Sequence, residues 1–508
     1  MSGLLQPEDL RKLKPAETSS FPGPIPTQIV SSDEYFPDPQ NRKQRQVEAK
    51  LKELGTELAR KQGMSRRAFF TTAAGMAAAY LVMNQVYGPM FDVTRAEAAT
   101  PELAQERASA LADQFIFDGH THFLRDDTRI NTFVTMRQAV GDAGWNPQLK
   151  GKKQTIEDLK FNNYYKEMYL DSDTKVALIS SAPSDIPRDW FLTNAMMAQA
   201  REKINKAAGS RRMLCHVVFT PGAPGWLEQV DKGLELKPDS AKGYTIGDNT
   251  HKELARYPWR MDDEKTTYRA YEKFVKAGIK NVCVHKGLFP PSVEKMFPRL
   301  RPFVDVSDVG KAAKDWPQLN FLIFHAGYRY VGGGGRTGAD INADAADGMA
   351  QIEKTGRVEW VTDLSEIPAK FGVSNVYSDV GQIFASTLVA QPRVAAYIMG
   401  VLVKGLGADH VLWGTDALWT GSPQWQIEGL RRMEIPEDMQ KKFGFKPLGT
   451  AEGPVKTAIF SSNSVRLYNY QAPPSWKKLD RFAALKEDYI EQGAHRSNLR
   501  YGYVAKSA

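Results

Sequence analysis

Two cysteines in 508 residues rule out a disulfide framework. Cys215 and Cys283 fall in separate apolar strand patterns, the third and the fifth. Strands so placed do not give the close backbone approach that a bridge requires, so both read as core thiols. Pairing in an oxidising compartment is the alternative. Long hydrophobic runs are also missing. The most apolar stretch, Thr71 to Met83, is alanine-rich and is followed by Asn84 and Gln85. It falls short of the run of about 20 apolar residues that a spanning helix needs. Charge is only mildly unbalanced, with 67 Lys and Arg against 59 Asp and Glu and a formal net charge of +8, which predicts a mildly basic surface. With no basic helix and no RNA- or DNA-binding signature, nucleic-acid partners are excluded. Gly332 to Gly338 lacks the Gly-Lys-Ser/Thr ending of a phosphate-binding loop. No internal repeat or second enzymatic domain is visible.

Histidine is scarce as well, at eight residues, yet four of the eight stand at the ends of apolar runs. Phe115-Ile116-Phe117-Asp118-Gly119-His120-Thr121-His122 is a strand pattern closing on two histidines. Strand side chains alternate with period two, so His120 and His122 share a face, with backbone positions roughly 6.6 Å apart. That spacing suits two imidazoles on one metal ion. Lys280 to His285 and Asn320 to His325 repeat the arrangement, and His410 to Asp416 ends in a carboxylate instead. Singly, Asp416 reads equally as a helix cap, and His285 or His325 as a hydrogen-bonded core residue; together they form a ligand set. His216, inside its strand, reads as structural.

Eight short β patterns alternate with helical stretches: Phe115 to Asp118, Lys175 to Ile179, Met213 to Phe219, Lys242 to Ile246, Ile279 to Val284, Phe321 to Phe324, Asn375 to Tyr377 and His410 to Trp413. Alternation predicts a parallel sheet, and near-continuous apolar runs predict burial on both faces. The expected fold is an α/β (β/α)8 TIM barrel, whose active site is built at the C-terminal strand ends. A doubly wound open sheet would not bring its first and last strands together.

Asp118-Gly119-His120-Thr121-His122, His285, Phe324-His325-Ala326-Gly327, Gly414-Thr415-Asp416 and Ser462-Asn463-Ser464-Val465-Arg466-Leu467-Tyr468 together resemble the amidohydrolase superfamily. The likeness is to its amidohydrolase-related branch, which holds metal-dependent hydrolases and non-oxidative decarboxylases. The resemblance runs from about Phe115 to Tyr470. It implies His120, His122, His285 and Asp416 as metal ligands and Asp416 and His325 as the catalytic pair, with His325 binding metal or polarising the substrate. Lys242, read at the start of its strand, and Lys286, pointing away from His285, offer no bridging ligand. One divalent ion is therefore expected, zinc by default, with manganese, iron or nickel accepting similar ligands. The expected reaction is hydrolysis of a small ester, lactone or amide. Decarboxylation of a small carboxylic acid is the alternative, and a non-catalytic periplasmic metal-binding barrel the third reading. The loop from Gly327 to Gly338 reads as a mobile lid, with Arg329 or Arg336 holding an anionic group, or as a plain connection. Tyr328 and Trp419 read as lining an aromatic pocket or as packing residues.

Upstream, Ser65-Arg66-Arg67-Ala68-Phe69-Phe70, the apolar stretch and Ala96-Glu97-Ala98 resemble a twin-arginine export signal. The expected organisation is a polar leader over 1–63, a signal segment over 64–98, the barrel over 99–470 and a helical tail over 471–508. Pro22, Pro24 and Pro26 argue for an extended start, while Val47, Leu51, Leu54 and Leu58 recur at helical spacing. The signal implies the twin-arginine export machinery as a partner and a periplasmic enzyme. An uncleaved inner-membrane anchor is the alternative. The tail, with Pro473-Pro474 and a charged run from Lys477 to Glu491, is expected to wrap the barrel or to join a homo-oligomer interface. His495 has no assigned role.

Overall fold

The computed structural model describes residues 23–27, 40–142, 151–248, 250–331, 348–473, 480–494 and 497. Eight parallel strands follow one another around a single sheet in chain order. They are β1 (Phe117–Thr121), β2 (Val176–Ile179), β3 (Met213–Phe219), β4 (Ser240–Tyr244), β5 (Asn281–His285), β6 (Asn320–Phe324), β7 (Val376–Asp379) and β8 (Val411–Leu412). Helices such as Asn194–Ala208, Thr267–Lys276 and Pro392–Gly405 fill the crossovers. This is the (β/α)8 TIM barrel.

Closure occurs between the chain beyond β8 and β1. Gly119 donates its N–H to the Trp413 carbonyl at 2.9 Å, and Asp416 donates to the His120 carbonyl at 2.8 Å. The seam is locked by Asp118, whose carboxylate accepts from the Thr415 hydroxyl at 2.5 Å and from the Thr415 N–H at 3.1 Å. Gly414 is glycine for a steric reason, because a Cβ there would lie 2.8 Å from both the His120 Cβ and Asp379 Oδ2. At the base of the same strand, Asn463 donates to the Ala408 and Val411 carbonyls. Much of the recognisable motif chemistry therefore closes the barrel.

The N-terminal part is built onto the barrel. Helix α1 (Arg42–Lys61) starts at Asn41 with a capping box to Gln44 and buries Val47, Leu51, Leu54 and Leu58. Helix α2 (Ala73–Tyr87) is capped by Thr72, which accepts from the Gly75 N–H. Both helices share one continuous hydrophobic core with the barrel helices. At the other end, helix α3 (Arg481–Glu491) is capped by Asp480, which also pairs with buried Arg212 at 2.5 and 2.9 Å. Phe482 packs on Tyr165 and Tyr169, so this part of the tail wraps the barrel. No helix among the described residues is long and apolar enough to cross a membrane.

Candidate metal centre

His120 and His122 leave the end of β1 on one face, and a turn beyond β8 brings Asp416 over them. The two Nε2 atoms lie 3.0 Å apart. Asp416 Oδ1 is 3.3 Å from Nε2 of His120 and 3.1 Å from Nε2 of His122. All three residues are buried.

Their partners decide where the ring protons sit. His122 Nδ1 is 3.1 Å from the Ser180 carbonyl, which can only accept, so the proton is on Nδ1. His120 Nδ1 is 2.8 Å from Asp379 Oδ2 and donates to it in the same way. Each neutral ring then turns a lone pair on Nε2 toward the other and toward a carboxylate oxygen. Three acceptors at van der Waals distance or closer repel one another unless a cation or a proton sits among them. Zinc–nitrogen bonds of about 2.0–2.1 Å place neighbouring ligand atoms roughly 3.0–3.4 Å apart, so the donor set fits a metal ion.

His325 has the opposite tautomer. Its Nδ1 accepts from the Gln382 N–H at 3.3 Å, which leaves Nε2–H as a donor. The ring fits because residue 381 is glycine, where a Cβ would lie 2.4 Å from His325 Nδ1 at a backbone φ of +40°. Both His325 and Asp416 occupy the left-handed region themselves, at φ 59° and 58°. Local strain of this kind persists only where the surroundings hold it. Here the His325 N–H is held at 2.5 Å by Asp379 Oδ1. With both its oxygens engaged, Asp379 supports the two histidines. It also completes a second cluster of possible ligand atoms with His120 and His325.

His285 stands beside His325, with ring centres 4.7 Å apart, and stacks on Tyr244. It does not belong to the tight group formed by His120, His122 and Asp416. Over the centre lies an aromatic wall. Trp419 stacks on His122 and on Phe133, while Phe191 meets His122 edge-on.

Burial holds His120, His285 and His325 well below the ordinary imidazole value, and the Lys242 cation adds to the effect. Neutral imidazoles are the form that ligates metal. Burial pushes the Asp416 carboxyl up to about 8, against the pull of Lys242 and of a hydrogen bond from Trp419. Asp379 is driven up by burial as well. Asp118 rises to about 7 for the same reason, opposed by its bonds to Thr415 and His120.

Two residues here escape sequence reasoning. Asp379 follows a strand pattern that reads as ending at Tyr377, and its only signal is a carboxylate two positions further on. Lys242 is the third residue of β4 rather than its first. It is fully buried, with Nζ 3.4 Å from the Phe324 ring centre and 4.7 Å from that of Tyr244. Phe324 in turn lies 3.9 Å from the His120 ring, so a buried cation sits one ring away from the centre. Lys286 does point away, donating to Asp308 at 2.8 Å behind the strand. His216 bonds Ser240 at 2.8 Å within the barrel. Arg329 is held by Glu294 at 2.8 Å and by Glu359, so it is tied to carboxylates of its own chain. Arg336, the glycine-rich loop and His495 lie outside the described residues. Both cysteines are buried free thiols.

A family model described as amidohydrolase matches residues 117–470. The chain belongs to the amidohydrolase family. No curated protein matches its sequence. Solved structures similar to this amidohydrolase include an uncharacterized TIM-barrel protein from Bordetella bronchiseptica. That protein is 14% identical with a TM-score of 0.42, over 70% of this chain and 98% of the other. A 2,6-dihydroxybenzoate decarboxylase from Rhizobium is 12% identical with a TM-score of 0.38, over 70% and 99%. A 2-pyrone-4,6-dicarboxylic acid hydrolase from Pseudomonas putida, so described provisionally, is 13% identical with a TM-score of 0.36, over 71% and 99%. At these scores none of the likenesses bears on the chemistry of this amidohydrolase.

Proposed function

We propose that this amidohydrolase is a metal-dependent hydrolase of a small ester, lactone or amide. The observation that carries the reading is the convergence of two Nε2 lone pairs and Asp416 Oδ1 within 3.0–3.3 Å of one another. His120, His122 and Asp416 would hold one divalent ion, with His285, beside His325 at the end of β5, as a further ligand; zinc is the default, and manganese, iron or nickel suit the same donors. Such an ion supplies polarisation of a substrate oxygen and makes water acidic enough to attack near neutral pH.

The chain's own residues supply the rest. With a bound cation holding it ionised against the effect of burial, Asp416 would accept the proton that attacking water gives up, at an oxygen within 3.3 Å of both imidazoles. His325 Nε2–H donates to the oxygen on which negative charge develops, and Gln382 fixes the tautomer that makes it a donor. Trp419, Phe191 and Phe133 exclude bulk water and offer a flat apolar wall to the substrate. That wall favours a second reading, decarboxylation of a small planar acid, in which His325 and Asp416 carry proton traffic to and from carbon.

Elemental analysis of the purified protein beside His120→Ala and Asp416→Ala variants tests the site. About one equivalent of transition metal is expected in the wild type and loss in both variants. No metal after reconstitution would leave a non-catalytic barrel. Assays of ester, lactone and amide cleavage against carbon dioxide release then separate the two reactions. We also infer a periplasmic destination by the twin-arginine route, supported by Arg66 and Arg67 lying exposed at the start of a helical turn.

A further inference from the structure

The stretch that resembles a removable export signal is packed into the enzyme. Ala77, Ala78, Ala79, Tyr80 and Val82 of α2 are fully buried; the helix packs on α1, and Tyr80 reaches the barrel helix Gln424–Arg432. Tyr80 donates its hydroxyl to the Trp425 carbonyl at 2.5 Å, and Tyr87 donates to the Ala390 carbonyl at 3.2 Å. The fit depends on Gly429, where a Cβ would come within 3.0 Å of the Tyr80 hydroxyl and 2.3 Å of Leu388.

The chain leaving α2 pairs with the barrel through its backbone. Phe91 forms an antiparallel bridge with Met433, Asp92 donates to the Arg432 carbonyl at 2.7 Å, and Glu434 donates to the Met90 carbonyl at 2.7 Å. Glu97 then meets Arg432 at 2.6 Å, with both side chains largely withdrawn from water. Glu97 is the central residue of the Ala96-Glu97-Ala98 pattern that reads as a cleavage signal. Ala98 is fully buried, and residues Arg95–Ala99 are helical. A peptidase needs an extended backbone, whereas the Ala98–Ala99 bond lies in a helical turn, with Ala98 buried and Ala99 exposed.

We propose that residues 65–98 are retained as a permanent layer of the folded enzyme, docked on the Gln424–Arg432 helix, and that docking opposes processing by holding the Ala98–Ala99 bond in a helical turn with Ala98 buried. The occupant of this barrel face is thus a segment of the same chain. Its arginine pair stays displayed while Phe69, Phe70 and the apolar helix behind them are hidden. Removing the segment would strip α2 from the shared core and leave Arg432 without Glu97.

Limited proteolysis of the full chain with thermolysin, followed by intact mass, tests this without altering the segment itself. Cuts between residues 73 and 99 are expected at least 10-fold faster in a barrel-side Arg432→Gln variant than in the wild type. They should be faster still in Gly429→Val, where the added bulk collides with Leu388 and crowds the Tyr80 hydroxyl. Arg432→Gln adds no bulk, so it serves should Gly429→Val fail to fold. Enzyme recovered from a bacterial host with a twin-arginine system should keep residues 65–98 in its mass. A wild type cut there as fast as Arg432→Gln, or a recovered enzyme beginning at Ala99, would overturn the proposal.

Discussion

An imidazole can carry its proton on either ring nitrogen, and at His120 the Asp379 carboxylate settles which. The 2.8 Å bond to Nδ1 turns the Nε2 lone pair toward His122 and Asp416. Carboxylates behind ligating histidines typically contribute 10–100-fold in metal affinity. Asp379→Asn should therefore weaken metal binding by about that factor, measured by chelator competition, with the far-ultraviolet circular dichroism unchanged. Gly381→Ala should behave differently. Its Cβ collides with His325 Nδ1, not with His120 or His122. Bound metal is expected to stay at the wild-type level, while turnover in whichever assay reports activity falls at least about 10-fold through loss of a positioned donor. Loss of metal together with activity would instead place His325 among the ligands.

The elements differ in how far the residues reveal them. Strands β3, β5 and β6 are continuous apolar runs, and the chemistry at their ends follows from period-two alternation. Strand β4 reads Ser-Ala-Lys-Gly-Tyr, with little apolar signal, so Lys242 looks like a strand entrance when it is an interior side chain. Asp379 is invisible for another reason: its meaning lies in a contact with a residue 259 positions away. The Asp118-Gly-His and Gly-Thr-Asp motifs are legible as chemistry, yet Asp118, Gly414 and Thr415 serve the seam between β1 and β8. Likewise, α1 is foreseen by its spacing, but the docking of α2 has no local signature, because an alanine-rich helix suits a signal and a tight helix interface equally. At the start of the tail helix α3 one residue has two roles. Asp480 caps it and pairs with Arg212, a side chain with almost no exposure. Asp480→Ala removes both roles and leaves that guanidinium without its carboxylate, a change that costs about 3–5 kcal/mol. A drop in urea midpoint and faster hydrogen exchange over residues 481–491 should follow, with metal content retained.

At the barrel's flank a single carboxylate joins the tail helix to the barrel helix on which α2 docks. Asp173 lies just before β2 and receives Arg431 at 2.8 Å from the helix on which α2 docks, and Lys486 at 3.4 Å from the tail helix. Gln424 adds a hydrogen bond at 2.9 Å. Burial alone would push this acid up, but the cations around it outweigh burial and hold it well below the ordinary carboxylate range. A group whose folded pKa is depressed stabilises the fold fully above its unfolded value, near 3.8, and loses that contribution as pH falls further. The stability gap between wild type and Asp173→Asn should accordingly be constant from about pH 7 to pH 5 and shrink below about pH 4. Urea unfolding at a series of pH values reads the gap directly. A gap independent of pH down to 3 would mean that Asp173 acts through its hydrogen bonds alone. The expected narrowing would identify the ion pairs of Asp173 with Arg431 and Lys486, which join barrel helix and tail, as one source of the molecule's acid sensitivity.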